Sequence, residues 1–176
     1  LIRDPRNLIT SLKNHYNLDY DEATKFMNND RKFIYDDRFK ENYSTFHFLS
    51  SWSNHYKSWI INKMFKTLVI KYEDLETKTY ETFEKIVNFV NDLSKSKTPL
   101  NKSKVQRCIE TTGFDKLKKM EKENGFDEAI YSKKLKKKMN FFNLGSMNKW
   151  KNVIPEDYHN KINTSFEEDL KFLKYI

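Results

Sequence analysis

The opening segment constrains the fold most, because its residue pattern describes a strand that turns sharply into a helix. Residues 1–2 are apolar and typical of the end of a buried strand, and Asp4 has the side chain of a helix N-cap. Pro5 follows at the first helical position, where its missing N–H costs nothing. Leu8 and Leu12 then recur at helical spacing and predict one apolar face.

Two polar side chains flank this turn. Arg3 lies at the carboxyl end of the strand, where ligands bind in open α/β sheets, and Ser11 follows about two helical turns later. A planar guanidinium and a hydroxyl so placed can hold an anion from two sides. The alternative is that Arg3 pairs with Asp4 or a sheet-edge carboxylate, and that Ser11 is only a helix residue.

Length and charge limit the class of protein. The chain has 176 residues, enough for one domain, and a net charge of +8 that favours anionic partners such as nucleotides, acidic substrates, nucleic acid or a membrane surface. Its one cysteine, Cys108, excludes an internal disulfide and favours a reducing, cytoplasmic location. We find no apolar run that could span a bilayer and no signal peptide. The chain begins without Met inside a strand pattern, so we expect it to be the second part of a larger fold.

The stretch between the first helix and the next strand is less informative. Residues 17–38 are polar and would form a lid over a site or an exposed connector, with Asp19 or Asp21 capping a short helix over residues 22–28. Residues 45–65 predict one long helix with an aromatic stripe that faces the core. Its histidines have no neighbours at metal-ligand spacing, so we predict no metal site.

A second strand and helix follow. Residues 67–72 form a short β-branched apolar run that predicts a strand, and residues 80–93 predict an amphipathic helix. Glu73 and Asp74 lie between them. This arrangement again places polar side chains at the carboxyl edge of a sheet, or the two carboxylates only stabilise the following helix N-terminus.

The remaining chain offers helical patterns and a basic run. Residues 102–108 should be helical, and the segment over residues 112–117 on its own fits a plain capped helix. Pro155 should open a final amphipathic helix that runs through Leu173. The basic run contains Lys133, Lys134, Lys136, Lys137 and Lys138. It is an electrostatic funnel or a solvated face, and with no nucleic-acid-binding signature we expect no nucleic-acid partner.

These landmarks, in this order, resemble the sulfotransferases that use 3′-phosphoadenosine 5′-phosphosulfate (PAPS). Arg-Asp-Pro-Arg-Asn with a serine eight residues after the first arginine resembles their 3′-phosphate-binding segment, which implies that Arg3 and Ser11 contact that phosphate. A strand ending in Tyr-Glu-Asp-Leu is the next landmark and implies that Tyr72 lies near the adenine. Thr112, Phe114 and Leu117 resemble the family's Thr-Ser-Phe-x-x-Met segment, whose residues flank the adenine.

The last landmark is residues 141–152, which resemble the pattern Phe-Arg-Lys-Gly-x-x-Gly-Asp-Trp-Lys-Asn. Gly145 matches, and glycine lets the backbone approach a phosphate closely. Asn143 and Leu144 replace the family's Arg-Lys pair, and Asn148 stands where the family has glycine. The resemblance implies that residues 143–145 contact the cofactor, without the usual ionic grip on the 3′-phosphate.

The resemblance covers almost the whole chain, so we interpret residues 1–176 as the C-terminal portion of a single sulfotransferase domain. It implies an α/β fold with a P-loop-like parallel sheet flanked by helices, helix-rich in this portion. The implied reaction transfers a sulfuryl group from PAPS to a hydroxyl or amine of a small-molecule or carbohydrate acceptor, with adenosine 3′,5′-bisphosphate (PAP) as the product.

The resemblance implies that the catalytic groups are missing from this chain, and two rival functions remain open. The family's phosphosulfate loop, its catalytic lysine and its usual catalytic histidine would lie upstream of Arg3, so we assign no catalytic residue and expect this chain alone to be inactive. One rival is another P-loop-type enzyme, such as a small-molecule kinase, which would prefer ATP. The other is a non-enzymatic basic module that binds nucleic acid or an acidic partner through the basic run and loses affinity steeply with salt.

Overall fold

The computed structural model describes residues 1–35, 46–96, 98–129, 131–132 and 135–176. Its helices are α1 (Pro5–Tyr16), α2 (Tyr20–Asn28), α3 (Trp52–Ile61), α4 (Tyr72–Thr77), α5 (Thr79–Ser94), α6 (Lys102–Thr111), α7 (Phe114–Asn124), α8 (Trp150–Val153), α9 (Glu156–Ser165) and α10 (Glu167–Phe172), with a 3₁₀ turn at Gly145–Met147. Its strands are β1 (Phe33–Tyr35), β2 (Phe46–Phe48), β3 (Tyr131–Ser132) and β4 (Lys137–Lys138). The described chain is therefore a helix-rich α/β structure.

Helix α1 begins as the sequence predicts. Asp4 is its N-cap and accepts a hydrogen bond from the backbone N–H of Arg6, and Pro5 occupies the first helical position. The buried carboxylate of Asp4 also forms a 2.7 Å ion pair with Arg6. Arg6, and not Arg3, is thus the partner of Asp4, so the cap leaves Arg3 available for other contacts.

The predicted parallel sheet is reduced to one bridge within the described residues. β1 pairs with β2, and β3 with β4, each antiparallel, whereas Ile2 and Lys71 form an isolated parallel bridge. The bridge consists of two hydrogen bonds, from Ile2 N to Ile70 O at 2.8 Å and from Tyr72 N to Ile2 O at 2.7 Å. The prediction of a strand over residues 67–72 is therefore wrong beyond this bridge, because no other described residues pair with them and Tyr72 already begins α4.

The main core lies between α1, α2, α9 and α10. Ile9, Ala23 and Leu170 have no exposed surface, and Phe166 is 1% exposed. α2 is therefore a core helix, and neither the predicted lid nor the exposed connector describes it; residues 36–38 of that stretch lie outside the described chain. Its predicted N-cap is confirmed, because Asp19 forms a reciprocal capping box with Glu22.

The prediction of one long helix over residues 45–65 is wrong. Its start lies outside the described residues, Phe46–Phe48 form β2, and Ser51 then caps the shorter α3 by accepting from Asn54 N. The aromatic side chains divide accordingly, since Tyr56 is 5% exposed and Trp59 is 62% exposed. Helical spacing of aromatic residues does not show where a helix starts, and here the start is set by the Ser51 cap.

The single helix predicted after Pro155 is two helices, because the backbone turns at Phe166 between α9 and α10. The turn places Asp169, 5% exposed, against α3, where its carboxylate accepts from Ser53, from Tyr56 Oη at 2.7 Å and from Lys57 Nζ at 2.8 Å. Burial alone would raise the pKa of Asp169, but these three donors outweigh it and lower the pKa. These contacts join α3 to α10 and the main core.

The helices predicted after the second strand and over residues 102–108 are confirmed as α5 and α6. Lys137 and Lys138 of the basic run form β4 and are exposed, while Lys133 and Lys134 lie outside the described residues. In the part of the chain that the structure covers, no helix is long and apolar enough to cross a membrane. The same residues contain no cluster of side chains that could hold a metal ion.

Candidate functional site

A cleft of about 1040 Å³ opens between α1, α4, the junction of α6 and α7, and the loop that contains Gly145. Its volume lies at the upper end of the range typical of ligand sites. All nine predicted site residues line it: Arg3, Ser11, Tyr72, Thr112, Phe114, Leu117, Asn143, Leu144 and Gly145. Four segments that are distant in sequence thus converge on one cavity.

A polar end of the cleft is built around Arg3. Its guanidinium lies over the Tyr72 ring, 4.2 Å from the centroid, and its Nη1 donates to Ser11 Oγ at 3.1 Å. The Nε atom of Arg3 is buried and has no hydrogen-bond partner in the described structure. A buried donor left unpaired costs about 1–3 kcal/mol, so this end of the cleft favours a ligand that accepts hydrogen bonds.

Asn148 holds the Gly145 loop against α1, and its role was not foreseen from the sequence. Its buried amide donates to Asn7 O at 3.0 Å and to Ser11 Oγ at 3.2 Å, and it accepts from Thr10 Oγ1. In the sequence, Asn148 stands out only as a departure from the family pattern. An amide side chain at that position was the available signal, because it can donate and accept at once.

The loop is fixed on its other side by α7. The buried carboxylate of Glu121 accepts from Phe141 N at 2.6 Å and from Phe142 N at 3.0 Å. Lys118 Nζ donates to Asn143 O at 2.8 Å. Carboxylate bonds to backbone N–H groups are among the stronger hydrogen bonds in proteins, so the loop that carries residues 143–145 is held at both ends.

The end of the cleft that is formed by α7 and the Gly145 loop is apolar. Phe114 and Phe142 meet edge to face at 5.9 Å, and Leu117 lies one turn further along α7. Gly145 has φ +54°, and a Cβ there would lie 2.6 Å from Phe114 Cε1, so the ring packs directly on the glycine. The Thr112 hydroxyl donates to Cys108 O at 2.8 Å, which leaves its oxygen free to accept a hydrogen bond.

The charge of the cleft is concentrated at Arg3. Glu76, its other charged lining residue, is paired with Lys149 at 3.4 Å. Burial lowers the pKa of His15 below its usual 6.5, although Glu128 opposes this, so His15 is neutral at pH 7. Arg3 is therefore the cation of the lining.

One of three comparisons with known proteins supports the resemblance. A sequence model of the family described as "Sulfotransferase domain" matches residues 1–174. Comparison with curated proteins and comparison with solved structures each find no match. The family inferred from the residue motifs is therefore confirmed over nearly the whole chain.

Proposed function

We propose that this chain, which belongs to the sulfotransferase domain family, binds PAPS in the cleft and serves transfer of its sulfuryl group to a hydroxyl or amine. The convergence of four sequence landmarks on one cavity is the observation that carries the proposal. The family membership supports a transferase that moves a sulfuryl group, and the cleft supports a nucleotide donor with charge at one end and a base at the other.

The polar end suits the 3′-phosphate. Arg3 donates to Ser11 alone among the described residues, so most of its five N–H groups remain available to phosphate oxygens. Its stacking on Tyr72 restricts the guanidinium plane, which reduces the entropy lost on binding. Ser11 adds a hydroxyl on the adjacent face of α1. These groups compensate for Asn143 and Leu144, which provide no cationic side chain.

The apolar end suits the adenine. Phe114 and Leu117 offer flat and aliphatic contact surface, and the free lone pair of Thr112 Oγ1 can accept from an exocyclic amine. Gly145 keeps the loop close to this wall. Tyr72 lies beneath Arg3 and lines the same cleft. PAPS supplies the activated sulfuryl group, while the residues of this chain bind and orient the nucleotide; we place none of them at the reacting atoms.

The proposal is tested by titrating the full chain with PAP and with ATP in a calorimeter, before and after Arg3→Ala. We expect wild-type protein to prefer PAP, and R3A to weaken PAP binding by about 10–100-fold, since charge-assisted hydrogen bonds to the phosphate are lost. Arg31→Ala removes the same charge from an exposed position outside the cleft and should leave both affinities unchanged.

Each rival interpretation predicts a different outcome. Equal or tighter binding of ATP would favour a kinase-like enzyme. Binding that falls steeply with salt and survives R3A would favour the basic module. The identity of the acceptor and the cytoplasmic location stay predictions from the sequence.

A further inference from the structure

Ser11 is held in an unusual hydrogen-bonding state. Its Oγ accepts two N–H donors, Arg3 Nη1 at 3.1 Å and Asn148 Nδ2 at 3.2 Å. A hydroxyl oxygen has two acceptor sites, so both are filled. The Ser11 proton must therefore be donated elsewhere.

Among the described residues, the one acceptor near that proton is a poor partner. Asn7 O lies 3.4 Å from Ser11 Oγ, beyond the usual 2.5–3.0 Å of an O–H···O bond. That carbonyl also accepts from Asn148 Nδ2 at 3.0 Å and lies 2.7 Å from Thr10 Oγ1. The Ser11 hydroxyl is thus a donor without a good acceptor, on a side chain that lines the cleft.

The orientation of Asn148 follows from its neighbours. Its nitrogen must face Asn7 O, because the reverse orientation would place two carbonyl oxygens against each other, and its Oδ1 accepts from Thr10. Asn148 is 5% exposed, so no bulk water competes for these bonds. The amide can therefore present only a donor to Ser11.

We propose that Asn148 is a positioning residue that makes the Ser11 hydroxyl a hydrogen-bond donor toward the 3′-phosphate of the nucleotide. The inference rests on the proposed function and extends it to a residue at which this chain departs from the family pattern. It also explains how a chain with Asn143 and Leu144 in place of two cations holds that phosphate: a second neutral donor is locked in place beside Arg3.

The test compares affinities for PAP and for adenosine 5′-phosphate, which lacks the 3′-phosphate, on the full chain by calorimetry. The dissociation constant for adenosine 5′-phosphate divided by that for PAP measures what the 3′-phosphate contributes to binding. Asn148→Ala should lower this ratio about tenfold, the scale of one hydrogen bond to a charged group, and change affinity for adenosine 5′-phosphate by less than about threefold.

Two further variants make the result specific. Asn148→Asp has the same shape but offers Ser11 an acceptor, so the Ser11 hydroxyl should turn toward the carboxylate and the ratio should fall at least as far. The control is Asn160→Asp, the same charge change at an exposed position, which should leave the ratio unchanged. In a Ser11→Ala background, Asn148→Ala should lower the ratio by less than about twofold more, because Asn148 acts through Ser11.

The outcomes separate this inference from the proposed function. A wild-type ratio near one contradicts both. A high wild-type ratio that N148A and N148D retain contradicts the inference alone, as does a variant that weakens both nucleotides equally, which would mark Asn148 as a purely structural residue. If N148A does not fold, Asn148→Gly, the residue of the family pattern, takes its place with the same expected fall.

Discussion

Gly145 offers a direct test of how the cleft is built, because its backbone conformation and the room for a side chain at this position are both restricted. Its φ of +54° lies in the left-handed region, and a Cβ there would lie 2.6, 2.7 and 2.8 Å from three carbons of the Phe114 ring. Carbon atoms pack at about 3.5–4.0 Å, so Gly145→Ala requires the ring to move by about 1 Å. Phe114 lines the cleft, so that movement alters the proposed base site.

The cost has two parts. A left-handed conformation costs an alanine about 1–2 kcal/mol, and overpacking of this kind costs about 1–3 kcal/mol. G145A should therefore lower the free energy of unfolding by about 2–5 kcal/mol. In a Phe114→Ala background the clash is absent, so the same substitution should cost only the backbone part, about 1–2 kcal/mol.

Urea denaturation of the four chains of this cycle measures the coupling between the two sites. Gly125→Ala is the matched control, since Gly125 also has positive φ, +77°, but nothing lies within 4 Å of a Cβ there. It should lower stability and leave nucleotide affinity unchanged, whereas G145A should weaken PAP binding. Equal costs of G145A with and without the Phe114 ring would refute the packing described here.

Substitutions at three other positions, Tyr72, Glu121 and Asp169, test the supports around the cleft and the core. Tyr72→Phe should keep PAP affinity, and Tyr72→Ala should lower it about 3–10-fold in calorimetry, because the aromatic face that orients Arg3 is lost. Glu121→Ala should cost about 2–3 kcal/mol in urea denaturation, since two backbone N–H groups lose a carboxylate, while Glu123→Ala on the exposed side of α7 should cost under about 0.5 kcal/mol. The folded-state pKa of Asp169 is lowered, so its contribution is fully present above its usual 3.8 and is lost as the pH falls through the folded value. Asp169→Asn should therefore cost about 2–3 kcal/mol at pH 7, and the gap from wild type should close as the pH falls below the usual 3.8 and through the lowered folded-state pKa.

Each of these predictions can fail visibly. Tyr72→Phe that weakens binding as much as Tyr72→Ala would give the hydroxyl, and not the ring, the important role. Equal costs at Glu121 and Glu123 would mean that the loop does not depend on the buried carboxylate. A stability gap at Asp169 that persists or widens in acid would contradict the sign of its pKa shift.

Local signals in the sequence were sufficient for several elements. The Asp4 cap, the proline after it and the apolar spacing predicted α1 correctly, because capping depends on adjacent residues. For α2, Asp19 proved to be the cap of the two candidates, although the helix begins two residues earlier than predicted, and apolar spacing alone predicted α5. The nine site residues came from the family resemblance, and the structure brings their four segments to one cleft without testing what binds there.

Where local sequence patterns failed, contacts between distant residues determine where elements end and which side chains meet. The aromatic run after residue 45 has helical spacing, yet strand pairing with β1 and the Ser51 cap divide it. The break at Phe166 follows from burial of that ring in a core assembled from distant helices. Asn148 bonds to residues more than 130 positions away, so no pattern around it could indicate its partners.

The most direct test of the central claim is a crystal structure of the full chain with PAP. The account predicts the 3′-phosphate within hydrogen-bond distance of the Arg3 guanidinium and of Ser11 Oγ, with the adenine against Phe114 and Leu117. A nucleotide bound in the cleft with its 3′-phosphate away from Arg3, or bound outside the cleft, would contradict the proposed site.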